Sequence, residues 1–265
     1  MPLTPYQLAL ARLLAINRSP DSHLAGGAAL HFEPTSTRYS NDLDYFHDSV
    51  ERVATAFDAD RTILEQHGHS ISLDISQPGY VRATVAKDGE RTKIEWAHDS
   101  AWRFMPAQAH PDSGYRLHPL DLAINKVLAL AGRNEARDLL DVLTVHRDVL
   151  PLGALCWAAA GKDPGFTPLS LLELLKRRGR FQPADFARLR LVAPVDLADL
   201  KTRWTAAIEQ ADTCVAEGDP REIGCVYYDR ERSSFVAPTA AERREAHIVP
   251  HYGRPGGVLP EVLTE

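Results

Sequence analysis

The chain has 265 residues, 44% of them apolar and 25% charged, enough to bury a sizeable core and typical of globular rather than disordered proteins. Lys and Arg number 30 against 36 Asp and Glu, so the net charge of −6 excludes a global pull towards nucleic acid and leaves only local basic surfaces to hold a phosphate backbone. No apolar stretch approaches the roughly 20 residues that cross a bilayer, and the three scattered cysteines, Cys156, Cys214 and Cys225, exclude a disulfide framework or a CxxC-type zinc site.

Residues 3 to 16 place Leu8, Leu10, Leu13 and Leu14 at helical spacing, and Asn17, Ser19, Pro20 and Asp21 end the run. Arg12 interrupts this stretch, which therefore reads as the amphipathic first helix of a cytoplasmic protein rather than as a leader. His23 to Ala25 reads as a short strand or an extended approach to Gly26-Gly27, Ala28 to Phe32 as a brief helical segment, and Thr35 to Arg38 as loop. Asn41 to Phe46 is a strand, with Leu43, Tyr45 and His47 on one side and Asp42, Asp44 and Phe46 on the other, because strand side chains alternate. Ser49 to Gly68 is an amphipathic helix with Ser49 as its N-cap. Three alternating segments follow at 69–76, 79–87 and 91–98; the Asp88-Gly89 turn makes the last two adjacent antiparallel strands.

From Pro119 the pattern becomes helical: DLAINKVLALAGR, NEARDLLDVLTVHRD, LGALCWAAAG, TPLSLLELLKRRG, PADFARLRL and VDLADLKTRWTAAIEQADTCVAEG, punctuated by proline and glycine. Beyond residue 219 the helical period fades. REIGCVYYDRERSSFVAP suits a short hairpin and the last residues an extended tail.

Two aspartates on one strand face gather carboxylate oxygens whose charges raise each other's pKa unless a cation neutralises them. Mg²⁺ fits such a set, since it takes oxygen ligands and keeps positions for water and phosphate oxygens. Glu95 shares a strand face with Lys93 and Ala97, opposite Ile94 and Trp96, and is the best third acid for a two-metal cradle, the arrangement that serves nucleotidyl or phosphoryl transfer. Gly26-Gly27 suits close approach of backbone N–H groups to a phosphate, with Thr37, Arg38 and Ser40 as further donors before Asp42. A second Asp-x-Asp, Asp58-Ala59-Asp60, falls in a helix, where positions i and i+2 diverge. Lys126 stands in an apolar stretch, AINKVLALAG, where its charge needs a partner or a phosphate.

GGAAL followed by Arg38, Ser40, Asp42, Leu43, Asp44 and Tyr45 resembles the first motif of the AbiEii/AbiGii toxin family of nucleotidyltransferases, which includes the MenT-type toxins. Lys126, Arg133 and the run Arg137-Asp138-Leu139-Leu140-Asp141 are similar to that family's second signature. The matched order spans about residues 24 to 145; Ala28 stands where threonine is common in the family. The resemblance implies an α/β fold: a DNA polymerase β-like nucleotidyltransferase domain with a mixed or antiparallel sheet over 1–117, and a helical domain over 118–218 that contributes Lys126 and Asp141 to the site. The hairpin and extended tail occupy 219–265. It further implies Asp42 and Asp44 as Mg²⁺ ligands with Glu95 beside them, Gly26, Gly27, Arg38, Ser40 and Lys126 on the NTP, and Asp141 as a further essential acid, a role that Asp138 three residues earlier competes for. The acceptor it implies is RNA, the 3′ end of tRNA, with a cognate antitoxin as partner and no membrane. Phosphorylation of Ser40 would put a doubly charged group where the NTP phosphates belong.

Residues 174 to 190 gather Lys176, Arg177, Arg178, Arg180, Arg188 and Arg190 around Phe181 and Phe186, a surface suited to an RNA backbone and its terminal bases, or alternatively a basic helix C-terminus. Trp96, Trp102, Trp157 and Trp204 read as core or interface packing. Two other functions are compatible with the sequence: a nucleotidyltransferase acting on a small molecule such as an aminoglycoside, and a non-catalytic binding module on the same fold.

Overall fold

The computed structural model describes residues 3–32, 36 and 38–261. The chain divides into two compact units. The first runs to His118 and takes in Arg190–Pro194 and Pro255–Gly257; the second holds Pro119–Leu189, Val195–Arg254 and the chain from Val258. No helix among the described residues is long and apolar enough to cross a membrane.

The first unit is mixed α/β. In chain order it contains α1 (Pro5–Leu14), β1 (Ser22–Ala25), α2 (Gly26–Leu30), β2 (Asp42–His47), α3 (Val50–Gln66), β3 (Ser70–Gln77), β4 (Tyr80–Lys87), β5 (Glu90–His98), β6 (Trp102–Arg103), β7 (Gln108–His110) and β8 (Gly114–Arg116). Helix starts follow local chemistry. Thr4 and Gln7 bond reciprocally in a capping box before Pro5, and Ser49 Oγ accepts the Arg52 N–H at 3.1 Å as the expected N-cap of α3.

Seven strands form one sheet in the order β3-β4-β5-β2-β1-β8-β7. The β2–β5 and β1–β8 pairs are parallel and the others antiparallel, so the sheet is mixed. The expected turn joins β4 to β5, with Asp88 and Gly89 both at positive φ. Leu43, Tyr45 and His47 of β2, Val81, Ala83 and Val85 of β4, and Ile94 and Trp96 of β5 are buried, as are Val53, Ala56, Phe57 and Leu64 of α3. Phe57 meets Trp96 edge to face with ring centroids 5.1 Å apart. The other sheet face carries the half-buried Asp42, Asp44 and Glu95.

The second unit is mostly helical: α4 (Pro119–Arg133), α5 (Ala136–Asp148), α6 (Leu152–Lys162), α7 (Pro168–Arg177), α8 (Pro183–Ala187) and α9 (Leu197–Ala216). The expected hairpin is β9 (Cys225–Asp229) with β10 (Ser234–Val236). A third strand, β11 (Ile248–Tyr252), pairs with the other side of β9 where the sequence suggested only a tail. Trp157, Cys225, Tyr227 and Ile248 form a buried cluster there. The three cysteines are free, Cys156 and Cys225 buried.

Candidate active site

The strand period fixes the acids. β2 buries every second residue, so Asp42 and Asp44 turn to the open face, and the parallel register of β5 sets Glu95 opposite Asp44 and Lys93 opposite Asp42. One carboxylate oxygen from each of Asp42, Asp44 and Glu95 lies within 4.8 Å of the other two. Three anions at this spacing repel one another, and an all-oxygen, half-buried donor set of this kind fits Mg²⁺.

The Gly-Gly turn closes on this group. Because β1 pairs Ala25 with Asp44, the next residue, Gly26, lies against the Asp44 side chain; it adopts φ +59°, and a Cβ there would fall 1.8 Å from Asp44 Oδ2. The Gly27 N–H donates to the same oxygen at 3.3 Å. A Cβ on Gly27 would meet Ser40 Oγ at 3.0 Å and Arg38 Nη2 at 3.2 Å, so both glycines let the backbone approach Arg38, Ser40 and Asp44.

Ser40 Oγ donates to the Asp42 carbonyl at 3.0 Å, and the residue is only 1% exposed, so a modifying enzyme reaches it only if this segment opens. The segment is held from both sides. Buried Gln7 of α1 donates to the Ser40 carbonyl and to Thr92 Oγ1 of β5, both at 3.2 Å, while the Tyr39 N–H donates to the Arg190 carbonyl at 2.8 Å beside an Arg38–Leu191 bridge. Thr37 and most of the expected 35–38 loop lie outside the described residues.

Glu95 has neighbours of its own. Arg82 of β4, directly across in register, brings Nε to 2.8 Å and Nη2 to 2.7 Å of Glu95 Oε1. Burial, together with its hydrogen bond to Glu95, pushes the Tyr80 hydroxyl up to about 12. Lys93, on the same face, is exposed and has no ion pair among the described residues.

Behind the sheet lies a charged cluster that the sequence did not announce. Arg18 Nη2 reaches both Asp60 oxygens at 2.5 and 2.7 Å, with both side chains fully buried. Trp96 Nε1 donates to Asp60 Oδ2 at 2.7 Å, and Asn17 donates to Oδ1 at 2.8 Å. The Arg18 guanidinium also stacks 4.3 Å from the Tyr45 ring centroid. The second Asp-x-Asp therefore splits, with Asp58 exposed and Asp60 in the core.

In the helical unit Lys126 is 4% exposed and its Nζ meets Asp141 Oδ2 at 2.8 Å, so the buried ammonium has a carboxylate partner. Asp138 is held by Arg133 through two bonds of 2.7 and 2.8 Å. The basic stretch is less open than its composition suggests. Lys176 pairs with Glu173 and Asp212, Arg178 donates to the Ala131 carbonyl at the end of α4, and Arg190 belongs to the α/β unit.

No protein-family model matches the sequence, and no curated protein matches it significantly. Solved structures do resemble it. The nucleotidyltransferase toxin MenT4 of Mycobacterium tuberculosis aligns with 82% of this chain and 83% of its own, at a TM-score of 0.52 and 16% identity. JHP933 of Helicobacter pylori aligns with 80% of this chain and 91% of its own, at a TM-score of 0.46 and 18% identity. At such identities the likeness concerns the fold: the chain has the fold of a MenT-like nucleotidyltransferase toxin.

Proposed function

We propose that the protein is a Mg²⁺-dependent nucleotidyltransferase toxin that moves a nucleotide from an NTP to the 3′ end of an RNA, tRNA foremost, so blocking translation, and that a cognate antitoxin restrains it. The observation that carries this reading is the convergence of oxygens from Asp42, Asp44 and Glu95 within 4.8 Å, beside a turn of two glycines. The shared fold with MenT4 supports it.

In this reading Asp42 and Asp44 are the metal ligands and Glu95 the third acid. Bound Mg²⁺ would neutralise triphosphate charge and make the acceptor hydroxyl more acidic. Gly26 and Gly27 keep side chains out of the phosphate path, and Arg38 and Ser40 line its edge. The acceptor oxygen attacks the α-phosphorus, the bond to pyrophosphate breaks, and the hydroxyl proton passes to a carboxylate, Glu95. Lys126 is assigned the triphosphate charge by the family resemblance, with Asp141 holding the ammonium.

Incubation with Mg²⁺, each labelled NTP in turn and total RNA tests the proposal. Label should enter RNA of tRNA size from a preferred NTP and vanish with chelator or in Asp42→Ala. Label in a small molecule with RNA untouched would favour the small-molecule enzyme, and absence of any NTP turnover would refute the reading.

A further inference from the structure

The helical unit contains a cavity that the transfer chemistry leaves without a role. α7 ends at Arg177, Arg178 turns extended, and Gly179 adopts φ +77° against Trp204 of α9, where a Cβ would lie 2.8 Å from the indole Nε1. After this tight turn residues 180–182 lead into α8, leaving a space of about 360 Å³ between that connection and α9. That volume falls within the range of small-molecule sites, roughly 300–1,000 Å³.

The walls sort by chemistry. α9 supplies Leu197, Leu200, Lys201 and Trp204 at the spacing of one helix face, and α8 adds Phe186. Phe181 and Phe186 stand edge to face with centroids 6.0 Å apart. Four cations line the space, Lys176, Arg178, Arg180 and Lys201, and no carboxylate among the described residues does. Lys176 and Arg178 have protein partners, although Arg178 Nε is buried without one. Arg180 and Lys201 are exposed and carry no ion pair among the described residues. In a chain of net charge −6 this lining prefers an anion, and its rings prefer a planar apolar group. Trp204, which the sequence assigned to packing, is 9% exposed and forms one wall.

The geometry points to a binding site for a single unpaired nucleotide, its base among Phe181, Phe186 and Trp204 and its phosphate at the rim formed by Arg180 and Lys201. Ring stacking with cationic support is how proteins hold unpaired nucleotides irrespective of sequence. The identification of that nucleotide with an unpaired residue of the acceptor RNA rests on the proposed transfer; nucleotide binding in the cavity does not.

Titration of the full-length protein with AMP, CMP, inorganic phosphate and a short single-stranded RNA, followed by calorimetry and tryptophan fluorescence, tests this. The monophosphates and the RNA should bind saturably, more tightly than phosphate. The double variant Arg180→Glu, Lys201→Glu should weaken them about tenfold or more, and Trp204→Phe should remove the fluorescence response, with Asp42→Ala without effect. Arg180 and Lys201 are exposed, so an unchanged thermal midpoint is expected for the double variant. Phosphate binding as tightly as nucleotide, nucleotide binding lost in Asp42→Ala, or binding insensitive to the double variant would each overturn the assignment. Nucleotide binding without label transfer would sink only the transferase reading. Transfer with an unaltered RNA KM in the double variant would sink the identification of that nucleotide with the acceptor RNA.

Discussion

Replacing Gly26 by alanine tests how tightly the turn and Asp44 are coupled. At φ +59° an alanine incurs a backbone penalty of about 1–2 kcal/mol, lowering the thermal midpoint by a few degrees in a chain of this size. The larger effect is local. A methyl carbon built there lies 1.8 Å from Asp44 Oδ2, so reaching an ordinary contact of 3.4 Å displaces the carboxylate by ~1.6 Å. A misplacement of about 1 Å in catalytic geometry costs on the order of a hundredfold, so kcat/KM for nucleotide transfer should fall by at least that factor, about 2.7 kcal/mol of barrier. The assay is incorporation of labelled NTP under varied Mg²⁺, with the thermal midpoint measured alongside. Gly27→Ala is the comparison: its methyl would meet Ser40 Oγ at 3.0 Å and Arg38 Nη2 at 3.2 Å, side chains able to yield by a few tenths of an ångström, so the loss should stay below about tenfold. Retention of activity within about threefold of wild type by Gly26→Ala would refute the claim that Asp44 must stay where the turn holds it.

Three further outcomes are expected. Lys126→Met removes the 2.8 Å ion pair to buried Asp141 and should destabilise the protein by about 3–5 kcal/mol in urea unfolding; unchanged stability would contradict the ion-pair account. Trp96→Phe deletes the 2.7 Å bond to Asp60 and should cost about 1.5–3 kcal/mol while raising the Mg²⁺ needed for half-maximal transfer; unchanged stability would count against a structural role for that bond. His23 and His47 are held low, to about 4 and about 3, by burial first and then by neighbouring arginines, Arg103 for His23 and Arg18 and Arg52 for His47. Unfolding frees both to protonate near 6.5, so stability is full above that pH and falls as pH drops towards 4. His47→Leu should flatten that decline in a pH series of thermal midpoints, and an equal slope in the variant would exclude His47 as its source.

What the sequence made legible is what short-range periodicity encodes. β2, β4 and β5 alternate strictly, and their burial alternates with them, so the faces of Asp42, Asp44 and Glu95 could be read from neighbouring residues. That Glu95 lies opposite Asp44 could not, because register between strands separated by α3, β3 and β4 is a property of the whole sheet. β7 and β8 are three residues each, too short for a period to register, and β11 contains Pro250 and owes its pairing to the distant β9. PADFARLRL reads as one helix, yet α8 stops at Ala187, since Arg190 and Leu191 find extended partners in Tyr39 and Arg38. Lys126 advertised its burial through its apolar neighbours but not its partner, which sits on the next helix.

The cluster behind the sheet explains how acids on the front can stay close together. Repulsion of Glu95 by Asp42 and Asp44 works against the β2–β5 pairing, offset in part by Arg82 at Glu95. Tyr45 and Trp96 directly follow Asp44 and Glu95, face the opposite way, and are themselves paired in register. Arg18 stacks on Tyr45 and binds Asp60, and Asp60 binds Trp96, so one buried ion pair ties both strands together at the position next to the repelling groups. A purely apolar back face would pack as well and offer as much stability, since buried ion pairs rarely outdo good packing. What directed bonds add is a fixed register, and register is what sets Asp44 opposite Glu95.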